Sequence, residues 1–268
     1  MCFIKRLAAV LAASLGLSAN AVTLSTDFSD LWSILPAEGG WGVNVVQQND
    51  TLFLTLFVYG PNNQPTWYVG SDVRLQGTAQ DGSIVFEGTL YSTTGPWFGA
   101  STFDPSAVTP VAVGLVQFAA SDINQARLVY SVGQTLVTKA VRRQTFAVNN
   151  LTGSYRGASL GTYAGCTASE NGYREQPAVI EINHPAGLSG ITIREETAAY
   201  TCSYNGVFSQ AGRVAQINAN GTCTDGRNAV FIATEVQASI EGLTMRYLNN
   251  FGNNCTAVGR MGGVRRGS

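Results

Sequence analysis

Charge is scarce in this 268-residue chain: 12% of residues are Asp, Glu, Lys or Arg, about half the ~25% of an ordinary soluble protein. Lysine occurs only as Lys5 and Lys139, and histidine only as His184. A formal net charge of −1 leaves no broad basic field, so nucleic acid is not expected as a partner. The pairs Arg142-Arg143, ending a strand before the linker, and Arg265-Arg266, in a Gly-rich tail, are too few to change that and read as solvated ends.

The motifs of common chemistries are missing as well. One histidine and no C-x-x-C pair make a poor zinc site, and no D-x-[DN]-x-[DN]-G calcium loop occurs. There is no G-x-x-x-x-G-K-[ST] phosphate loop and no G-x-S-x-G nucleophile elbow. A histidine base would have to be His184, which sits in Ile182-Asn183-His184-Pro185 at a strand-to-turn boundary. Glu195 and Glu196 would point to opposite faces of a strand. Glycoside hydrolysis needs two carboxyls about 5–10 Å apart across a cleft, and only a pair such as Asp30 with Glu38 keeps a secreted hydrolase in view. The chain is expected to be non-enzymatic, with no cofactor and no metal.

Long apolar runs are absent too. Residues 7–17 form an uncharged stretch of about 11 residues, too short to cross a ~30 Å hydrocarbon core. Lys5-Arg6 precede it and Ala19-Asn20-Ala21 follow it, which reads as a signal peptide over residues 1–21 and implies export to a periplasmic or secreted location. Cys2 would leave with it. Four cysteines remain, Cys166, Cys202, Cys223 and Cys255, and an even number in an exported chain implies two disulfides with three possible connectivities. Cys202 faces Cys223 across an expected hairpin turning near Gln210-Ala211-Gly212. That pairing is preferred, leaving Cys166 with Cys255 to join the first and last strands of the second half.

What is present is β-forming sequence. Short β-branched and aromatic runs alternate with turn residues every 8–12 positions, the pattern of all-β sandwiches and barrels. Strands are expected at 42–48, 52–59, 66–75, 84–91, 111–118, 126–132 and 135–142, then at 153–160, 178–183, 190–195, 199–208, 213–221, 228–234 and 243–248. Turn signals include Asn205-Gly206, Asn220-Gly221 and Asp225-Gly226, and a weak helix signal covers 235–242. Short connections make consecutive strands antiparallel neighbours, and an up-and-down meander that closes on itself is the simplest solution. An outer-membrane barrel has similar ingredients, but the chain ends in Arg265-Arg266-Gly267-Ser268 rather than an aromatic strand.

Composition shifts near residues 145–153. All four tryptophans lie before it and the four remaining cysteines after it. Residues 22–147 carry five basic and nine acidic side chains, net −4; residues 148–268 carry nine and eight, net +1. Two β domains are expected: an aromatic-rich, barrel-like meander over 22–147 and a disulfide-stapled antiparallel domain over 148–268. Neither half reads as a repeat of the other.

Within the first, Leu52, Leu54, Leu56 and Val58 alternate with Phe53, Thr55, Phe57 and Tyr59, so this strand is expected to be covered on both faces, by core on one side and a domain, loop or partner on the other. The densest cluster of unusual residues runs from Trp32 to Gly42, with Glu38 and with Trp41 between glycines; Trp67-Tyr68 opens a later strand. Large amphipathic rings beside a carboxylate suit a small apolar molecule or a glycan, so Trp32, Glu38, Trp41, Trp67 and Tyr68 are the candidate ligand-binding residues. The alternative is a structural or protein-interaction module built on the apolar strand and on the aromatic loop Gly95-Pro96-Trp97-Phe98-Gly99.

The string P-x-E-x-G-W-G at Pro36 to Gly42, Gln47-Gln48, and Pro65-Thr66-Trp67-Tyr68 resemble a group of uncharacterised exported bacterial proteins. Gly95-Pro96, Phe103-Asp104-Pro105 and the segment from Thr138 to Phe146 fit the same pattern, so the likeness covers most of residues 28–146. It implies export and brings no activity with it. The Gly-x-Trp ending at Trp41 is also similar to the start of calycin barrels.

Overall fold

The computed structural model describes residues 26–267 except residue 186; the expected signal peptide lies outside the described residues. The chain forms two closed antiparallel barrels of eight strands each. The first contains β1 (Asp30–Ile34), β2 (Glu38–Gln48), β3 (Thr51–Tyr59), β4 (Pro65–Thr78), β5 (Ile84–Thr94), β6 (Thr109–Ala120), β7 (Gln125–Val132) and β8 (Thr135–Arg143). The second contains β9 (Gly153–Ala164), β10 (Gly172–Asn183), β11 (Gly190–Thr197), β12 (Thr201–Ala211), β13 (Val214–Cys223), β14 (Asn228–Ala238), β15 (Gly242–Asn250) and β16 (Thr256–Arg265). Each strand pairs with its neighbours in sequence, and the last pairs with the first, β8 with β1 and β16 with β9.

Strand alternation fills both interiors. In the first, Val43, Val45, Leu52, Leu54, Leu56, Val73, Phe86 and Phe118 point inward and are fully buried. The second is packed by Tyr155, Ile180, Ile193, Ile217, Phe231 and Met245. Both disulfides form as preferred, Cys202 to Cys223 across the β12–β13 hairpin and Cys166 to Cys255. The second joins the end of β9 to the start of β16, across the seam where the barrel closes.

Three local expectations fail. Asn205-Gly206 and Asn220-Gly221 are not turns: they lie opposite one another inside β12 and β13. Their glycines are required by crowding, since a Cβ on Gly221 would sit 2.4 Å from the Tyr204 ring. The helix signal at 235–242 is absent; β14 runs through it to Ala238, with an irregularity in the pairing with β15 between Thr234 and Gln237 and Glu235 in the left-handed region. The basic pairs are not simply solvated ends, because Arg143 is buried and Arg265 packs on Tyr155.

Those two arginines expose a repeat that residue identities conceal. In the first barrel, Trp32 on the first strand donates its indole N–H to the carbonyl of Phe28, 3.0 Å away, and the guanidinium of Arg143 on the last strand stacks over the indole at 4.9 Å. In the second barrel, Tyr155 on the first strand donates its hydroxyl to the carbonyl of Leu151 at 2.8 Å, and Arg265 on the last strand stacks over that ring at 5.1 Å. Each aromatic caps a carbonyl four residues earlier, each arginine is its register partner across the seam, and Phe28 and Leu151 are both buried beneath. The same closure plugs one end of both barrels.

The plugged ends are joined to each other. The backbone N–H of Arg213, in the β12–β13 turn, donates to the Asp30 carboxylate at 2.9 Å, and the Arg213 guanidinium pairs with Asp27. Gly212 donates to Thr145 Oγ1 at 2.8 Å, and Gln210 binds Ala147 and Asn149 of the connecting segment.

Candidate functional site

The five candidate residues fall in three places. Trp32 belongs to the plugged end and is fully buried, with its indole N–H committed to Phe28. It cannot touch a ligand. Glu38, Trp41 and Tyr68 lie at the opposite, open end of the first barrel. Trp67 lies on the outer wall.

At the open end, period-2 alternation turns Trp41, Tyr68, Tyr130 and Lys139 toward the interior, on the same faces as Val43, Leu56, Leu128 and Val141. Glu38 starts β2 opposite Ile34. The Lys139 ammonium donates to Glu38 Oε2 at 2.7 Å, and Trp41 Nε1–H donates to the same oxygen at 3.0 Å. The ammonium also sits 5.6 Å from the Trp41 ring centre, within cation–π range. The Lys139 hydrogen bond, helped by that of Trp41, holds the Glu38 carboxyl below its ordinary pKa. Burial raises the Tyr130 phenol, with Tyr68 and Glu38 as further causes, which places these groups within electrostatic reach. The result is an ion pair on an aromatic floor, reachable from solvent because both charged side chains are partly exposed.

The interior below is filled by side chains, so the site is a shallow mouth rather than a deep calyx. Asp30 is no catalytic partner for Glu38. It sits at the plugged end, held by Arg143 and Arg213, while Glu38 begins β2 at the open end.

Trp67 is part of a different surface. The outer face of β3 is uncovered: Phe53, Phe57 and Tyr59 are 45%, 37% and 58% exposed, and Trp67, paired directly with Phe57, is 52% exposed. Val46, opposite Phe53, extends the patch. The expectation of a strand covered on both faces is corrected. Leu52, Leu54 and Leu56 supply the core, and the aromatics face outward as a platform. The loop between β5 and β6 separately carries Trp97, Phe98 and Phe103, all strongly exposed.

Sequence reasoning misses Lys139 and Glu195. The signal for Lys139 is the alternation Val137, Lys139, Val141, which puts the lone lysine of the described residues on an inward face. The adjacency of Glu195 and Glu196 argues against a catalytic pair, yet it is also what sends one carboxyl inside. Glu196 pairs outside with Arg194, while Glu195 is 1% exposed in the second barrel. Burial pushes its carboxyl above the ordinary value, against smaller opposing effects of Ser159, Tyr204 and the Arg227 charge.

A raised folded-state pKa has a definite consequence for stability. Native protein holds this proton more tightly than unfolded chain, so the contribution is full below the unfolded value near 4.5 and is lost as pH rises toward the folded value. Each tenfold difference in proton affinity between the two states is worth about 1.4 kcal/mol. Glu195→Gln, which cannot ionise, is expected to match the wild type near pH 4 and to exceed it in stability at pH 7. Urea unfolding at both pH values checks this; equal stabilities at pH 7 would contradict it.

No family model matches the chain, and no curated protein matches it.

Proposed function

We propose that the chain is an exported, non-enzymatic binding protein that holds a small molecule or glycan at the open end of its first barrel. The observation that carries this reading is the Glu38–Lys139 ion pair standing over Trp41 at the barrel mouth. An indole floor offers a face to a sugar ring or similar apolar plane, and the charged pair offers both an acceptor and donors for hydroxyls. Glu38 is a weak candidate for acid catalysis, since its pKa is lowered and its hydrogen-bond partners are an ammonium and an indole. Two disulfides suit an oxidising compartment, in keeping with export.

Tryptophan emission tests this reading, because every tryptophan lies in the first barrel. Titration with a panel of oligosaccharides and small polar metabolites is expected to shift emission for at least one ligand. Trp41→Phe should weaken that ligand's binding by about tenfold, the usual scale for losing one good aromatic contact, while Trp67→Phe should leave it unchanged. Silence across the panel, or equal effects of both substitutions, would count against the mouth as the site.

A second reading, a protein-interaction module, is favoured by the exposed platform of Phe53, Phe57, Tyr59 and Trp67, since contiguous apolar surface is seldom left bare. Sedimentation of wild type beside Phe57→Ser separates self-association from a monomer.

A further inference from the structure

We propose that the interior of the second barrel, at its disulfide-bonded end, is a separate site for a small primary ammonium compound, held by Glu195 and Asn249 among tyrosine rings. Asn249 is buried and donates its amide N–H to Tyr204 Oη at 3.2 Å; Tyr204 in turn donates its hydroxyl to Glu195 Oε2 at 3.4 Å. This directed chain leaves Glu195 Oε1 and Asn249 Oδ1 buried without a hydrogen-bond partner. Gln176 Oε1, on an inward-facing position of β10 opposite Ser159, is in the same condition. With the Glu195 carboxyl ionised, as pairing with a cation would make it, all three are acceptors. Buried acceptors left unmet cost free energy, so an occupant of this interior must bring donors.

The surroundings select a cation. Tyr163, Tyr200, Tyr204 and Tyr247 lie in the same interior, with the Tyr163 and Tyr200 hydroxyls 3.1 Å apart and Tyr247 bonded to Ser159 at 3.2 Å. Ring faces attract positive charge, and a desolvated carboxyl gains most from a paired cation. Of the arginines at the rim, Arg227 reaches Glu195 only as a through-space charge, with its donors spent elsewhere. Arg227 donates to Asp225 and stacks over Tyr200 and Phe251, while Arg174 donates to the carbonyls of Ser169 and Glu170.

The first barrel shows what completes such a group. There a carboxylate at the barrel mouth, Glu38, is met by the ammonium of Lys139 above an aromatic ring. The second barrel has the carboxyl and the rings but no lysine, since Lys139 is the only lysine among the described residues. An ammonium on a short alkyl stem would supply from outside what Lys139 supplies from within. Among the described residues no cluster of three His, Cys, Asp or Glu side chains could hold a metal ion, which favours an organic cation over a divalent one.

Isothermal titration of the intact protein with methylammonium and ethylammonium chloride tests this, with potassium chloride at equal ionic strength and methanol as controls. Saturable binding of the alkylammonium ions is expected, with tryptophan emission unmoved because all tryptophans are in the first barrel. Glu195→Gln should weaken binding by about tenfold or more, the scale of a lost buried charge-assisted hydrogen bond. Tyr204→Phe, which keeps the ring, should weaken it less, and it carries the test if thermal melting shows Glu195→Gln misfolded. Absence of saturable binding, equal binding by Glu195→Gln, or equal heats from potassium would overturn the proposal. An emission change abolished by Trp41→Phe would assign the ammonium to the first barrel and also overturn it.

Discussion

Replacing Cys166 and Cys255 together by Ala is expected to cost the second barrel about 4–5 kcal/mol, against about 3 kcal/mol for the Cys202–Cys223 pair. The difference follows from the loops closed, 89 residues in the first case and 21 in the second, because a longer loop removes more freedom from the unfolded chain. The native geometry points the same way. Cys202–Cys223 reinforces a hairpin that its own turn already holds together. Cys166–Cys255 ties β9 to β16, the one adjacent pair in this barrel with no short connection, and every intervening strand lies within its loop. Urea unfolding of the two double variants under non-reducing conditions, followed by tyrosine emission, checks the order. Equal losses would mean that unfolded-chain entropy does not govern either bridge.

Much of this fold is legible in residue order, and the failures have identifiable causes. Residue order predicts seven strands in each half, and the eighth escapes in both for local reasons. β1 is five residues long and sits in the Trp32 segment, where glycine and proline obscure alternation; β16 carries Gly259, Gly262 and Gly263, which look like loop. Those glycines exist because neighbouring backbone crowds the wall: a Cβ on Gly259 would lie 1.8 Å from the carbonyl oxygen of Leu160. The disulfides are readable because hairpin geometry constrains one pair and elimination gives the other. The shared closure is not readable, since Trp32 and Tyr155 share a role but not an identity. Of the candidate site, Glu38, Trp41 and Tyr68 do come together, because all three begin strands at one end. Trp67 adjoins Tyr68 in sequence and therefore points the other way, and Trp32 is close in the chain to a site it does not share.

Trp32→Ala is expected to destabilise the first barrel by about 3–5 kcal/mol, the usual cost of truncating a buried large aromatic. The upper part of that range is expected here, because the strand ladder that closes this barrel is short. Its β1–β8 seam pairs only Trp32 with Arg143 and Ser33 with Arg142, whereas β9 and β16 pair over ten positions and carry a disulfide beside them. Removing the indole leaves Phe28 without the donor that caps its carbonyl, and uncovers one face of the buried Arg143 guanidinium. That guanidinium would remain bonded to the carbonyls of Asp27, Ser29 and Ile123, so the end should loosen rather than collapse. The corresponding change in the second barrel, Tyr155→Phe, deletes only a hydroxyl that bonds Leu151 and Arg265, and about 1 kcal/mol is expected for it. Emission from Trp41, Trp67 and Trp97 reports unfolding of the first barrel in the variant. A loss below about 1 kcal/mol in Trp32→Ala would show that the aromatic and arginine closure is not what holds this end shut.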